Sequence, residues 1–243
     1  MGLSKAARNR VDEHLIIEES QFELRLRAEG RPLLSDGSRL RESELVTVLT
    51  GNGIAMDRAW LWKLTRQFPS AESLADWLIR NSGICEEKMT IHVDWVWIAV
   101  DCLWDRWCPD RPRFESLERM IQEGYVTREF DITETCRMWL LAWKQMQWLY
   151  SQFRFDSIDD FDDCLAGAIS VSAWAQDLLT LLKTGAKSDP GLLTARLRVC
   201  EEFVEHCEYC YCENRSAELA EPMKAELEQA RRLISVIPVR RAA

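Results

Sequence analysis

The sequence has few helix-breaking residues: ten glycines and seven prolines occur among 243 residues. They fall between periodic apolar stretches, a pattern typical of helices joined by short turns. No Gly/Ser-rich linker divides the chain. Hydrophobic residues make up 47% and charged residues 29% of the sequence, which is the balance of an ordinary globular protein. We therefore expect most of the chain to fold.

Positive charge is outnumbered by negative charge, since 31 Lys and Arg residues stand against 40 Asp and Glu, which gives a net charge of -9 and a pI near 5.0. Basic residues cluster only near the two ends of the sequence, for example Arg8 with Arg10 and Arg240 with Arg241. Binding to phosphate backbones needs clustered Lys and Arg side chains. The composition therefore argues against a nucleic-acid partner.

Long uninterrupted apolar runs are missing as well. The most apolar stretch, Ile91 to Trp107, contains Asp94, Asp101 and Arg106, which would be costly to bury in a bilayer. The first twenty residues lack the apolar core of a secretory signal. We expect a cytoplasmic protein without membrane contact, whose nine irregularly spaced cysteines stay reduced.

Familiar catalytic signatures are absent from the sequence. It contains no phosphate-binding glycine loop, no GxSxG elbow and no HExxH pair, and Gly51 with Gly53 lacks the third glycine of a dinucleotide site. The histidines are His14, His92 and His206, and none follows a glutamate by three residues, as a di-iron bundle requires. An enzyme with an unfamiliar pocket is left as an alternative.

Apolar periodicity predicts an all-α protein, because apolar residues recur at spacings of three and four. We predict helix caps at Asp57, Ser70 and Thr133, and a central core helix from about Glu86 to Trp107. The later predicted helices are Phe114 to Glu123 ended by Gly124, Glu134 to Gln152, Ile158 to Leu165, Val171 to Leu182, Gly191 to Cys207, and Pro222 to Val236.

The first forty residues have an ambiguous pattern. Apolar residues from Phe22 to Ala28 alternate with charged ones, as in a strand, whereas Val11 and Leu15 suit one face of a helix. We predict either a helix or a short hairpin in residues 1–40. Residues 41–243 are predicted to form a single all-helical domain.

A short pattern recurs at intervals of 43 and 41 residues: Glu72-Ser73-Leu74, Glu115-Ser116-Leu117 and Asp156-Ser157-Ile158. A unit of one long and one short helix that stacks on its neighbours builds an α-solenoid of antiparallel helix pairs. The pattern predicts a short solenoid, similar in architecture to HEAT or tetratricopeptide repeats. The alternative is an irregular helical bundle in which these residues are merely common helix starts.

The Cys-rich segment 206–212 contains His206, Cys207, Cys210 and Cys212. Thiolate and imidazole groups at such spacing can hold zinc tetrahedrally. Structural zinc sites usually join two separated pairs of ligands, however, so this segment would have to wrap tightly around the ion. Zinc is therefore an alternative to the simpler interpretation, a helix end that carries ordinary thiols.

Tryptophan is abundant, with eleven residues in the chain. Tryptophans that lie offset from the buried face of a helix need another surface to cover them. We predict Trp62, Trp95, Trp139 and Trp143 as partner contacts, because tryptophan contributes strongly to interface hot spots. The alternative is that packing between helices covers all of these rings.

These patterns predict a protein–protein interaction or scaffolding protein, whose partner is another protein or a peptide. One alternative function is a zinc-binding or thiol-based regulator that uses segment 206–212. The other is the enzyme with an unfamiliar pocket.

Overall fold

The parts of the chain that the structure describes are helices and their connections. In this computed structural model the described residues are 27, 29, 31–82, 91–165, 170–208 and 224–232, and no strand occurs among them. The predicted all-α class is confirmed. Most of the segment 1–40, predicted as a helix or hairpin, lies outside the described residues, which include only 27, 29 and 31–40 of it. The helices are α1 (Leu34–Arg39), α2 (Glu42–Gly51), α3 (Arg58–Leu64), α4 (Ala71–Ser82), α5 (Ile91–Trp107), α6 (Phe114–Thr127), α7 (Ile132–Phe153), α8 (Ile158–Asp162), α9 (Val171–Gly185), α10 (Gly191–Glu208) and α11 (224–232).

The chain divides into two units, with the boundary between Ser116 and Leu117 inside α6. The first unit contains α1 to α5 and the start of α6, and the second unit contains the rest of α6 and α7 to α11. Each unit is defined by its own internal contacts. The single domain over residues 41–243 stays a prediction.

Helix α5 is the centre of the first unit, where it contacts α1, α2, α3 and α4. Its side chains Val96, Val100 and Leu103 are completely buried. Apolar residues lie on most sides of this helix, so its neighbours cover it nearly all around. The predicted central core helix is confirmed from Ile91 onward, and residues 86–90 lie outside the described part.

Two charged residues that interrupt α5 are held by partners. Asp94 is 6% exposed and accepts two hydrogen bonds from the Arg31 guanidinium, at 2.8 and 2.9 Å. Arg106 donates to the carbonyl oxygens of Leu40 and Ser38, at 2.7 and 2.8 Å, and so satisfies the C-terminal end of α1. Such pairing makes charge tolerable in a core helix.

An ion cluster around the buried Arg113 joins three helices of the first unit. Arg113 is 1% exposed, and its guanidinium contacts Asp101 and Asp105 at 2.9 Å each, with Glu115 at 3.6 Å. Glu115 accepts a hydrogen bond from the backbone N–H of Glu72 at 3.0 Å. The cluster thereby connects the start of α4, the C-terminal half of α5 and the start of α6. Burial raises the pKa of the Glu115 carboxyl, against the lowering effect of Arg113.

Helix α7 in the second unit buries only part of its predicted apolar surface. The spacing of apolar residues predicts a core face of Met138, Leu141, Trp148 and Leu149, widened by Trp139 and Trp143. Leu149 and the two widening tryptophans are buried, but Leu141 is 53% exposed. The buried side chains of α7 are Thr135, Cys136, Trp139, Ala142, Trp143, Met146 and Leu149. They follow spacings of three and four and form one continuous stripe. The assignment of Leu141 to the core is therefore wrong, because it lies on the opposite side of the helix.

Gly124 does not end α6 as predicted. The helix continues to Thr127, and the φ angle of Gly124 is not positive. A close approach explains the glycine instead, since an added Cβ would lie 1.8 Å from Nε1 of Trp139. The missing side chain lets the Trp139 indole pack directly on the backbone of α6. There it donates a hydrogen bond to the carbonyl oxygen of Ile121 at 3.1 Å.

The predicted helix caps are correct at two of three positions. The Asp57 side chain accepts a hydrogen bond from the backbone N–H of Trp60 in α3 at 2.7 Å, and the Ser70 side chain accepts one from the N–H of Ser73 in α4 at 3.0 Å. The prediction of Thr133 as the cap of α7 is wrong. Asp131 takes that position instead, and its carboxylate accepts the N–H of Glu134 at 3.0 Å.

The recurring sequence pattern is matched in structure by its first two copies. The hydroxyls of Ser73 and Ser116 each donate to the carbonyl oxygen three residues earlier, at 3.0 and 2.9 Å. Ser157 is instead the N-cap residue of α8. The pattern also predicts that Trp77, three residues after Leu74, lies on the same buried helical face, but Trp77 is 37% exposed. The solenoid stays a prediction.

Candidate docking groove

The candidate site is built on the outer side of the short helix α3 in the first unit. Leu61 and Leu64, which are 0% and 4% exposed, attach the inner side of this helix to the core. Trp62 lies on the outer side, where 40% of its surface is exposed. An aromatic side chain is therefore displayed on a helix whose position is set by buried leucines.

Four residues make up the outer side of α3. At about 100° of rotation per residue in an α-helix, Trp62 and Ala59 lie next to each other, between Arg58 and Lys63. All four side chains are exposed. The outer side is thus an apolar strip with one cation at each edge.

The opposite wall comes from the end of α5. Trp107 is the last residue of this helix and packs partly buried against the core of the first unit. Its Nε1 donates a hydrogen bond to Oε2 of Glu42 at 2.8 Å, which sets the orientation of the ring. Pro109 and Asp110 follow in the next turn, since a proline interrupts helical hydrogen bonding.

These two walls enclose a groove that is open to solvent and has a volume of about 590 Å³. We call it the docking groove, and its lining residues are Arg58, Ala59, Trp62, Lys63, Trp107, Pro109 and Asp110. Protein pockets that bind ligands typically measure about 300 to 1,000 Å³. The groove is therefore large enough to receive apolar side chains of a partner.

The Trp62 ring is held in place by Arg111. The guanidinium carbon Cζ lies 4.1 Å from the ring centroid, a distance typical of a cation–π contact. The backbone of Arg111 is fixed in turn, because its carbonyl oxygen accepts a hydrogen bond from Nε1 of Trp104 at 3.3 Å. The exposed indole is thus ordered before any partner binds.

The four tryptophans predicted as partner contacts have different surroundings. Trp62 lines the docking groove, and Trp95 is partly buried against the core of the first unit. Trp139 and Trp143 have no exposed surface and pack on Trp174, with ring centroids 6.4 and 6.0 Å apart. Neighbouring helices cover both rings, as the alternative interpretation expected, so neither presents a surface to a partner in this arrangement.

Of the seven residues that line the groove, only Trp62 is predicted as a site residue from the sequence. Periodicity places Trp107 on the core face of α5, and no motif distinguishes Arg58 or Lys63. The position of Trp107 at a helix end, shortly before Pro109, is a sequence signal for partial exposure, because fewer neighbours can cover a ring there. The signal for the two cations is their helical spacing around Trp62.

The predicted zinc ligands lie only partly within the described residues. His206 is half-buried beside Tyr150, with ring centroids 4.8 Å apart, and burial lowers the pKa of its imidazole. The Cys207 side chain, Cys210 and Cys212 lie outside the described part. Among the described side chains, no group of His, Cys, Asp and Glu could hold a metal ion. The zinc site stays a prediction.

The buried cysteines are expected to react slowly with alkylating reagents. Burial raises the pKa of Cys102, Cys136 and Cys200 to about 11, and the thiolate is the reactive form. Cys164 is exposed. We expect iodoacetamide to label Cys164 well before these three in the folded protein, as measured by peptide mass spectrometry. In urea the four rates should converge, and equal rates in the folded state would contradict this burial.

No helix in the described ranges is both long and apolar enough to cross a lipid bilayer. No family model, curated protein or solved structure matches the chain.

Proposed function

We propose that the protein binds a partner protein or peptide through the docking groove. The observation that carries this proposal is the Trp62 ring, which is 40% exposed and is held at 4.1 Å by Arg111. An ordered aromatic side chain loses little conformational entropy when a partner covers it. Tryptophan is also enriched among the residues that dominate binding energies.

The shape of the groove supports the same function. Trp62 and Trp107 stand on separate helices, and both helices pack on the core of the first unit. An apolar side chain that enters between the two indoles loses contact with water on both of its sides. This arrangement suits a single anchoring residue of a partner, and it does not require the predicted solenoid.

The cellular setting in this proposal is the cytoplasm. The five cysteines whose side chains the structure describes carry free thiols, a state that reducing compartments maintain. A scaffolding protein there would use the helical core of the first unit to hold the groove, and its partner, in position.

Replacing Trp62 with alanine is expected to weaken partner binding about thirtyfold, because a hot-spot residue contributes about 2 kcal/mol. The measurement selects peptides from a displayed random library on the wild-type protein. The affinity of each selected peptide for W62A is then determined by fluorescence anisotropy. Circular dichroism checks that W62A keeps its helix content, as expected for a half-exposed residue.

Trp77→Ala is the matched control, since Trp77 is a similarly exposed tryptophan of the first unit, at 37%, and does not line the groove. We expect W77A to bind the selected peptides as tightly as the wild type. The proposal is wrong if no selected peptide depends on Trp62, or if W77A loses as much affinity as W62A.

A further inference from the structure

The charged residues around the docking groove indicate which kind of peptide it can bind. Arg58 and Lys63 are both exposed and stand at the two edges of the apolar strip of Trp62 and Ala59. A peptide that lies across α3 with one side chain in the groove would meet a cation on each side of that anchor. A carboxylate at each of these two positions would form an ion pair, one with Arg58 and the other with Lys63.

The residues that line the groove carry more positive than negative charge. Among the lining residues, Arg58 and Lys63 are opposed by the single carboxylate of Asp110. This local excess of positive charge occurs in a chain whose net charge is -9. The groove therefore differs in sign from the protein as a whole.

We infer, on the basis of the proposed function, that the occupant is an acidic peptide. One apolar or aromatic side chain lies between Trp62 and Trp107, and Asp or Glu residues on both sides of it pair with Arg58 and Lys63. Complementary charge of this kind steers association and selects among partners that share the same anchor.

A single-stranded nucleic acid fits the groove less well than an acidic peptide. Bases bind such surfaces by stacking on aromatic rings. One face of Trp62 is already covered by the Arg111 guanidinium at 4.1 Å, so that face cannot receive a base.

The test uses three synthetic peptides with the same central leucine, flanked by glutamate, by glutamine or by lysine. Two favourable surface charge pairs should make the glutamate peptide bind about threefold to tenfold tighter than the glutamine peptide, and the preference should weaken with added salt. In the double variant R58E/K63E the order should reverse, so that the lysine peptide binds best. The control R41E/R80E changes the net charge equally at two exposed arginines outside the groove, and it should keep the wild-type order.

The outcomes separate this inference from the proposed function. If all three peptides bind equally and W62A abolishes their binding, the groove is a docking site but the acidic preference is wrong. If the three peptides fail to bind while library peptides that depend on Trp62 exist, the acidic preference is again overturned and the proposed function stands. Tighter binding of an oligouridine than of the glutamate peptide, lost in W62A, would replace the acidic peptide with a nucleic acid.

Discussion

Replacing Arg113 with methionine is expected to lower the free energy of unfolding by about 3 to 5 kcal/mol, because removal of one partner leaves buried charge without compensation. Arg113 is 1% exposed, and the side chain of its partner Asp101 is 14% exposed. Water cannot easily replace the guanidinium between Asp101 and Glu115. Urea unfolding followed by circular dichroism measures the loss.

The control for Arg113 is Arg41→Met. The Arg41 side chain is 82% exposed and pairs with Glu44 at 3.2 Å, so its loss should cost less than about 1 kcal/mol. The double variant R113M/D101N should recover part of the lost stability, since it also removes the carboxylate charge. If R113M were no more destabilised than R41M, the ion cluster would not stabilise the first unit.

Replacing Gly124 with alanine is expected to lower the free energy of unfolding by about 2 to 3 kcal/mol, because the added methyl group overpacks a filled core. Helix propensity alone predicts the opposite sign, a gain of about 1 kcal/mol. The new Cβ would lie 1.8, 2.4 and 2.6 Å from three atoms of the Trp139 indole. That ring cannot retreat easily, since Tyr125 and Trp174 contact it edge-on at centroid distances of 4.9 and 6.4 Å.

Two further variants isolate the contact between Gly124 and Trp139. Gly51→Ala is the matched glycine control, since nothing lies within 4 Å of a Cβ added there, and it should cost no stability. In a Trp139→Leu background the same G124A change should cost little, because the indole that it meets is gone. A loss that is equally large in both backgrounds would show that the effect does not come from the indole.

The core of the first unit could be predicted from the sequence because α5 is apolar on most sides. Almost any packing of neighbouring helices buries Val96, Val100 and Leu103, so their burial does not depend on the arrangement. Helix starts at Asp57 and Ser70 were equally predictable, since a side chain that caps a helix acts on backbone groups within three residues.

The buried face of helix α7 could not be predicted in the same way. It carries large apolar side chains on both sides, Trp139 and Trp143 on one and Leu141 on the other. Periodicity groups residues into faces, but it does not say which face a distant part of the chain will cover. Contacts with Gly124 and Trp174, from helices before and after α7, determined that the tryptophans are buried and Leu141 is not.

The helical class, most of the helix positions and the scarcity of catalytic motifs follow from the order of amino acids, because helix formation and capping depend on residues only a few positions apart. The docking groove does not follow from that order. Trp62 and Trp107 are far apart in the chain, and they form two walls of one groove because α3 packs on α5. Exposure, charge and cavity shape at this site are properties of that packing, which no local pattern encodes.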